Sequence, residues 1–394
     1  MKRLWAPPQR SLGTLGSAIL LGLAIIVAGV SFWGGSAVST ARARAADTAP
    51  LQEFRLYDEV WSIVHREFVQ PLPPASDVAR GAATGLVGAW HDVNTRLLGP
   101  DLARVARQCD HAQCTGVGLG LRPGPDGRIL VDWVGPAAAA AGVRPGDVLV
   151  SAAGIAVQGL GLIDAGLILS GKPGSSVSVV LRHSDGSTLS VALAHATRGQ
   201  EVVSSILPSG VVYLALRGWP ADVSAITAVI NDSRAADTAG ILVDLRGLCG
   251  GTLEEAVSVA GQLVGENVIA SERGRDGQHR TYESQPGQQA SALPMAVLVD
   301  SGSCAGAEAV AAAVRESGRG ILVGERTYGS GATVRAVDLS DGSRLLISTA
   351  FWYTAGGQVI EGKGLEPDLA VQPGNDGSDA QLAAADRYLA EERR

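Results

Sequence analysis

From the amino end, a short positive stretch gives way to a long apolar one. Lys2, Arg3 and Arg10 are followed by no charged residue until Arg42, and AILLGLAIIVAGVSFW lies between them. About 20 apolar residues cross a bilayer as a helix, and the positive side stays in the cytoplasm. The small residues Ala41, Ala43 and Ala45 suit a signal-peptidase site. Residues 1–46 are therefore read as an export signal or a retained membrane anchor, which places the body in the cell envelope: the periplasm or the outer face of the inner membrane. From Leu51 the apolar positions follow a helical period through Phe54, Leu56, Val60, Ile63, Val64 and Phe68. Pro71, Pro73 and Pro74 end that helix. A second helical stretch is predicted over 77–108, so 47–112 reads as a helical region.

The pattern then shortens. Residues 113–198 predict two strands around a Gly/Pro turn, a short helix, two more strands, a further helix, and a hairpin turned at Asp185-Gly186. From 199 to 374 apolar runs such as GILVDLRG and PMAVLVDS alternate with the helical stretches SAITAVINDSRA, LEEAVSVAGQLVG and GAEAVAAAVRES. That alternation predicts a βα-layered region with a mostly parallel sheet. Its functional loops should lie at the carboxyl ends of the strands, at DLRGLCGG and DSGSCAGAE. Residues 375–394 read as a C-terminal helix or tail. The fold class is α/β, a mixed α+β chain.

Composition narrows the functions. With 46% hydrophobic and 18% charged residues the chain is globular, and a net charge of −7 leaves no basic footprint for nucleic acid. Lys2, Lys172 and Lys363 are the only lysines. No cofactor is implied. Cys109, His111 and Cys114 have no evident fourth partner and do not match usual zinc spacings, so no metal is expected.

Two resemblances give the pattern meaning. The segment 113–198 resembles a circularly permuted PDZ domain through Gly116-Val117-Gly118-Leu119, Pro145-Gly146-Asp147 and Gly171-Lys172-Pro173-Gly174. The resemblance implies that Val117, Gly118 and Leu119 offer backbone N–H groups to a peptide carboxylate, the peptide adding as a strand. Residues 51–372 resemble the carboxy-terminal processing peptidases, or tail-specific proteases, through ILVDLRGLCGGTLEEAV, the MAVLVDSGSCAGAEAVAAAVRES segment and the ending Gly362-Lys363-Gly364. These are serine peptidases with an export signal and a PDZ domain. They use a Ser–Lys dyad assisted by Gln, the lysine acting as a neutral base.

The three reacting positions differ in this chain. Counted from Glu308, the nucleophile position is Ala305. Tyr328-Gly329-Ser330-Gly331 sets the register that puts Ser330 at the lysine position and Val334 at the glutamine position. Lys172 and Lys363 lie in other motifs, and the histidines suit packing or surface roles. Ser303 and Cys304 are weak substitute nucleophiles. The resemblance implies oxyanion-hole N–H groups at Gly251 and Gly306, unless those glycines serve only tight turns. In the family fold the DLRGLC and DSGSC loops are neighbours. Cys249 and Cys304 are thus candidates for a disulfide, with two separate buried thiols the alternative. Cys109 and Cys114 form the other plausible pair.

Three functions follow. The first is a pseudo-peptidase binding protein C-terminal tails through its PDZ domain, with an active paralogue a possible partner and the membrane engaged by the N-terminal segment. The second is an active serine endopeptidase with displaced catalytic groups. The third is a structural envelope protein with a closed cleft.

Overall fold

The computed structural model describes residues 54–392 apart from 110–113, 197–200, 221, 236–237, 286–291 and 375–377. The stretch read as an export signal or anchor and His111 lie outside the described residues. Among those described, no helix is long and apolar enough to cross a membrane. The chain divides into two units, Met1–Pro74 and Ala75–Arg394. The described part of the first is essentially α1 (Phe54–Glu67), whose side chains are all at least partly exposed.

The second predicted helix is corrected by the structure. Residues 77–108 are split into α2 (Ala75–Gly88), β1 (Arg96–Leu98) and α3 (Pro100–Arg107). The Asp92 carboxylate accepts from the Asn94 amide (3.0 Å) and from the Thr95 hydroxyl. Such a local side-chain turn competes with helix. Pro100 then opens α3, where its missing N–H is harmless.

The next strands form a six-stranded sheet: β2 (Leu119–Pro123), β3 (Ile129–Val134), β4 (Val148–Ala152), β5 (Ile155–Ala156), β6 (Ser176–Arg182) and β7 (Thr188–Ala194). Their order is β2-β3-β4-β6-β7, with β5 beside β4. Two helices interrupt them, α4 (Pro136–Ala140) and α5 (Leu162–Ile168). Leu121, Val131, Leu162, Ala165 and Ile168 share one core, so α5 packs beside β2.

A second six-stranded sheet holds the rest of the framework. It comprises β8 (Val202–Ile206), β9 (Val211–Leu216), β10 (Gly240–Asp244), β13 (Met295–Val299), β14 (Gly320–Gly324) and β17 (Leu369–Ala370), in the order β17-β14-β13-β10-β9-β8. All neighbours are parallel except β8 and β9. Every residue of β10 and β13 is buried, as expected of parallel strands covered on both faces. One face packs on α6 (Ser224–Ala235), α7 (Leu253–Val264) and α8 (Gly306–Glu316); the other packs on α9 (Ala380–Glu392) through Leu242, Leu298, Ala385 and Leu389. A third sheet joins β1, β11 (Val268–Gly274), β12 (His279–Glu283), β15 (Ala332–Asp338) and β16 (Arg344–Thr354).

At the carboxyl end of β10, Asp244 is wholly buried. It accepts from Tyr213 Oη (2.7 Å), Arg217 (2.8 Å) and Arg246 (2.9 Å). Burial pushes its carboxyl up, but the guanidiniums of Arg246 and Arg217 more than offset this and hold it well below the ordinary range. Arg246 also reaches Asp379 (2.8 Å), which ties the start of α9 to the same loop.

Candidate active site

The two loops expected to carry function meet where β10 and β13 end side by side. α7 begins with a capping box: Thr252 Oγ1 accepts from the Glu255 amide (3.1 Å) and Glu255 accepts from the Thr252 amide (2.7 Å). That fixes the exit of the Gly250-Gly251 turn. Opposite it, Ala305 precedes α8 with φ 54° and ψ −116°, a region that costs an L-residue on the order of 1–3 kcal/mol.

Glu308 holds this bend. Fully buried, it accepts from the Ala305 amide (3.0 Å), the Gly329 amide (2.8 Å), the Ser330 amide (2.8 Å) and the Thr327 hydroxyl. Burial raises its carboxyl above the ordinary range, opposed by those donors. One side chain thereby joins the turn at Ala305 to the segment at Ser330. Ser330 is 3% exposed, and its hydroxyl donates to Asn94 Oδ1 (2.9 Å). The Asn94 amide group in turn donates to Glu361 Oε2 (2.8 Å). Burial and the neighbouring Asp92 carboxyl push Glu361 up to about 8.

The loops are closed on each other. Cys249 and Cys304 form a disulfide with a Cα–Cα distance of 4.5 Å. The Cys304 amide donates to the Leu248 carbonyl and the Gly306 amide to the Gly250 carbonyl, each at 3.0 Å. Trp219 crosses both loops and donates to the Cys249 carbonyl at 3.3 Å. A β-carbon at Gly251 or Gly306 would lie 2.3 or 2.5 Å from its ring. Beside them a cavity of about 410 Å³ is lined by the two cysteines, Ala305, Ser330, Val334 and Trp352, among others; among the described residues no lysine or histidine is in its wall.

Residues 210–371 match the model of Peptidase family S41. Over that segment the chain is similar to the family. The chain is 29% identical over 309 residues to the chloroplastic C-terminal processing peptidase of Tetradesmus obliquus, a match covering 73% of this chain and 67% of the relative. It is 24% identical over 298 residues to the carboxy-terminal processing protease CtpA of Bacillus subtilis, covering 74% and 63%. The chain therefore spans about two thirds or less of the length of these relatives. Among solved structures, a photosystem II D1 C-terminal processing protease superposes with a TM-score of 0.58 at 26% identity, covering 86% of this chain and 98% of that one. A putative S41 protease from Bacteroides fragilis shares the fold, with a TM-score of 0.51 at 16% identity.

The structure brings Ala305, Ser330 and Val334 onto one cavity, and it corrects two expectations of the S41 pattern. Ser303 and Cys304 are not spare nucleophiles. Ser303 is buried, with its hydroxyl 2.9 Å from the Leu245 carbonyl and 3.0 Å from Asp300 Oδ1, and Cys304 has no thiol. Gly306 offers no open oxyanion donor, because its N–H is taken by Gly250. Cys109 and Cys114 form the second disulfide, with a Cα–Cα distance of 5.5 Å. At the other candidate site Val117 is buried, Gly118 takes φ +74°, and Leu119 begins β2 opposite Val134. Strand β2 lies close against the loop after β13: a β-carbon on Gly302 would meet the Leu121 carbonyl at 2.2 Å. Asn94, Trp219 and Glu361 escaped the sequence reading. Asn94 meets Ser330 across 236 residues, with no local signal.

Proposed function

We propose that this chain is an exported S41 pseudo-peptidase that holds protein C-terminal tails without cutting them. The observation that carries the reading is the content of the bent turn and its partner segment. Ala305 presents a methyl group where a nucleophile would stand, and the Ser330 hydroxyl is occupied by Asn94. Neither can take a proton from an attacking group and pass it on, which acyl transfer requires. The Gly306 N–H is also spent within the loops, so charge developing on a tetrahedral oxygen would meet no preset donor there.

Binding remains chemically reasonable. An open cavity with apolar walls at Ala305, Ala332, Val334 and Trp352 suits aliphatic side chains of an extended peptide. The β2–β7 sheet resembles a PDZ domain, and the loop Val117-Gly118-Leu119 would receive the terminal carboxylate with β2 pairing the peptide backbone. The N-terminal apolar run would export the protein and either be removed or keep it at the membrane. The open cavity favours a binding role over a structural protein with a closed cleft.

The test pairs binding with turnover on full-length protein. A fluorescent peptide ending in a free apolar residue should bind, its amidated twin should bind more weakly, and neither the peptide nor an unfolded protein should be cut when followed by mass spectrometry. Fragments accumulating in proportion to the protein added would overturn the pseudo-peptidase reading. Equal affinity for free and amidated tails would overturn the carboxylate site.

A further inference from the structure

The bond between Cys249 and Cys304 lies in the wall of the cavity. It joins two functional loops rather than bracing a remote turn, and both residues line the cavity. The two sulfurs are unequally placed. Cys304 is fully buried, whereas Cys249 is half-buried at the Gly250-Gly251 turn. Next to the bond, the Gly250-Gly251 turn is held to Ala305-Gly306 by the Cys304 N–H to Leu248 and Gly306 N–H to Gly250 hydrogen bonds and by the Trp219 ring lying across Gly251 and Gly306. Ser303 Oγ to the Leu245 carbonyl and Gly247 N–H to Asp300 secure the loops closer to their strands. The flanking elements are separately secured: Thr252 and Glu255 cap α7, and Glu308 anchors the start of α8. Opening the bond would therefore release the intervening turn without unravelling either helix.

We propose that Cys249–Cys304 is a reducible latch: a dithiol entering the cavity opens it at Cys249, and opening frees the Gly250-Gly251 turn from Ala305-Gly306. The exchange balances. One thiolate of the dithiol attacks Cys249 Sγ, the Cys249–Cys304 bond breaks, and Cys304 leaves as a thiolate that takes up a proton. The second thiol of the reagent then displaces Cys249, which leaves as its thiol. Two electrons pass from the dithiol, which becomes a disulfide, to the protein, which gains two thiols. Once the turn is free, the Gly306 N–H is no longer bound to Gly250 and can face the cavity. An unpaired N–H at the amino end of a helix attracts a carbonyl or carboxylate oxygen. The latch thus decides whether the cavity offers a donor to a bound chain, and only this last consequence rests on the tail-binding reading.

The experiment uses oxidised full-length protein without denaturant. Dithiothreitol is added in steps, free thiols are alkylated, and the four cysteines are mapped by mass spectrometry. Amide hydrogen exchange is followed in parallel over 248–251 and 304–307. Cys249 and Cys304 should become alkylated while the protein stays folded, and exchange in those two segments should rise about tenfold or more while β13 stays protected. With oxidised glutathione, which releases one reduced glutathione in the exchange, the Cys304→Ser variant should form a mixed disulfide at Cys249 about tenfold faster than the Cys249→Ser variant does at Cys304. A bond that opens only as the protein unfolds would overturn the latch, as would reduction that leaves exchange at 304–307 unchanged. Equal rates at the two sulfurs would overturn the assigned point of entry; should either variant fail to fold, exchange in the wild type still decides. Tail peptide is added last. Loss of tail binding in both redox states would count against the binding reading alone, and equal affinity in both states, with the latch opening as expected, would remove the link between them.

Discussion

Glu308 and the cavity wall it supports are adjacent, and they are built to different standards. Glu308 receives two backbone amides of the 330 segment, the Thr327 hydroxyl and the Ala305 amide, and water does not reach it. That arrangement keeps a bent backbone at Ala305 and brings Ser330 beside it. At positions 305 and 330 of the cavity wall, the side chains are a methyl group and a hydroxyl already engaged by Asn94. The difference shows that a site's scaffold and its reactivity are separable properties. The scaffold is enforced by buried acceptors whose removal would threaten the fold, whereas the reacting groups rest on it and can change without disturbing it.

Three measurements can break or sharpen that contrast. Glu308→Ala should have the largest effect, because it orphans several buried donors at once. Unfolding in urea should show a loss of about 3 kcal/mol or more, and a loss below about 1 kcal/mol would mean that the hub does not hold the turn. A pH dependence comes next. Glu361 is raised to about 8 and Asp300, through burial and then the nearby Asp132, to about 7. The folded state keeps protons that the unfolded chain releases above its ordinary carboxyl range, so stability should fall as pH rises from about 4.5 to 8. Melting curves should show that fall, and Glu361→Gln should flatten it; an unchanged slope would remove Glu361 as its source. The smallest effect belongs to Ala305→Gly. Glycine takes φ 54° without a Cβ penalty but has more freedom when unfolded, so a net gain of about 1 kcal/mol is expected. Destabilisation would show that the methyl group packs more usefully than the bend strains it.

The sequence made the layered framework legible for a physical reason. Strands such as β10 and β13 are covered on both faces, so they read as continuous apolar runs, and α7 and α8, which follow them in turn, carry a clear helical pattern. The break between α2 and α3 was not legible, because it depends on Asp92 accepting from Asn94 and Thr95 and on β1 pairing with β16. At the site, positions 305, 330 and 334 could be placed by register with Glu308. The condition of those positions could not. Whether Gly306 has a free N–H depends on how closely two loops approach, and the occupation of Ser330 depends on Asn94, a residue from a distant segment. The nearness of Cys249 and Cys304 was implied by the family resemblance, but bonding versus two separate thiols required the 4.5 Å approach itself.

The bend at Ala305 also bears on engineering. A hydroxyl could be added there by one substitution on a backbone already shaped to present it, so nearly all the positional work is done in advance. Position 330 is the opposite case. A lysine would have to displace Asn94 from Ser330 and thread its chain among Glu308, Glu361 and Asp92, carboxyls that would hold the amine charged rather than leave it a free base. Anyone rebuilding a hydrolase on this scaffold would find the nucleophile the easy half and the base the hard one. Redesign should therefore begin at Asn94 and Glu361, around the base, before a serine is placed at 305.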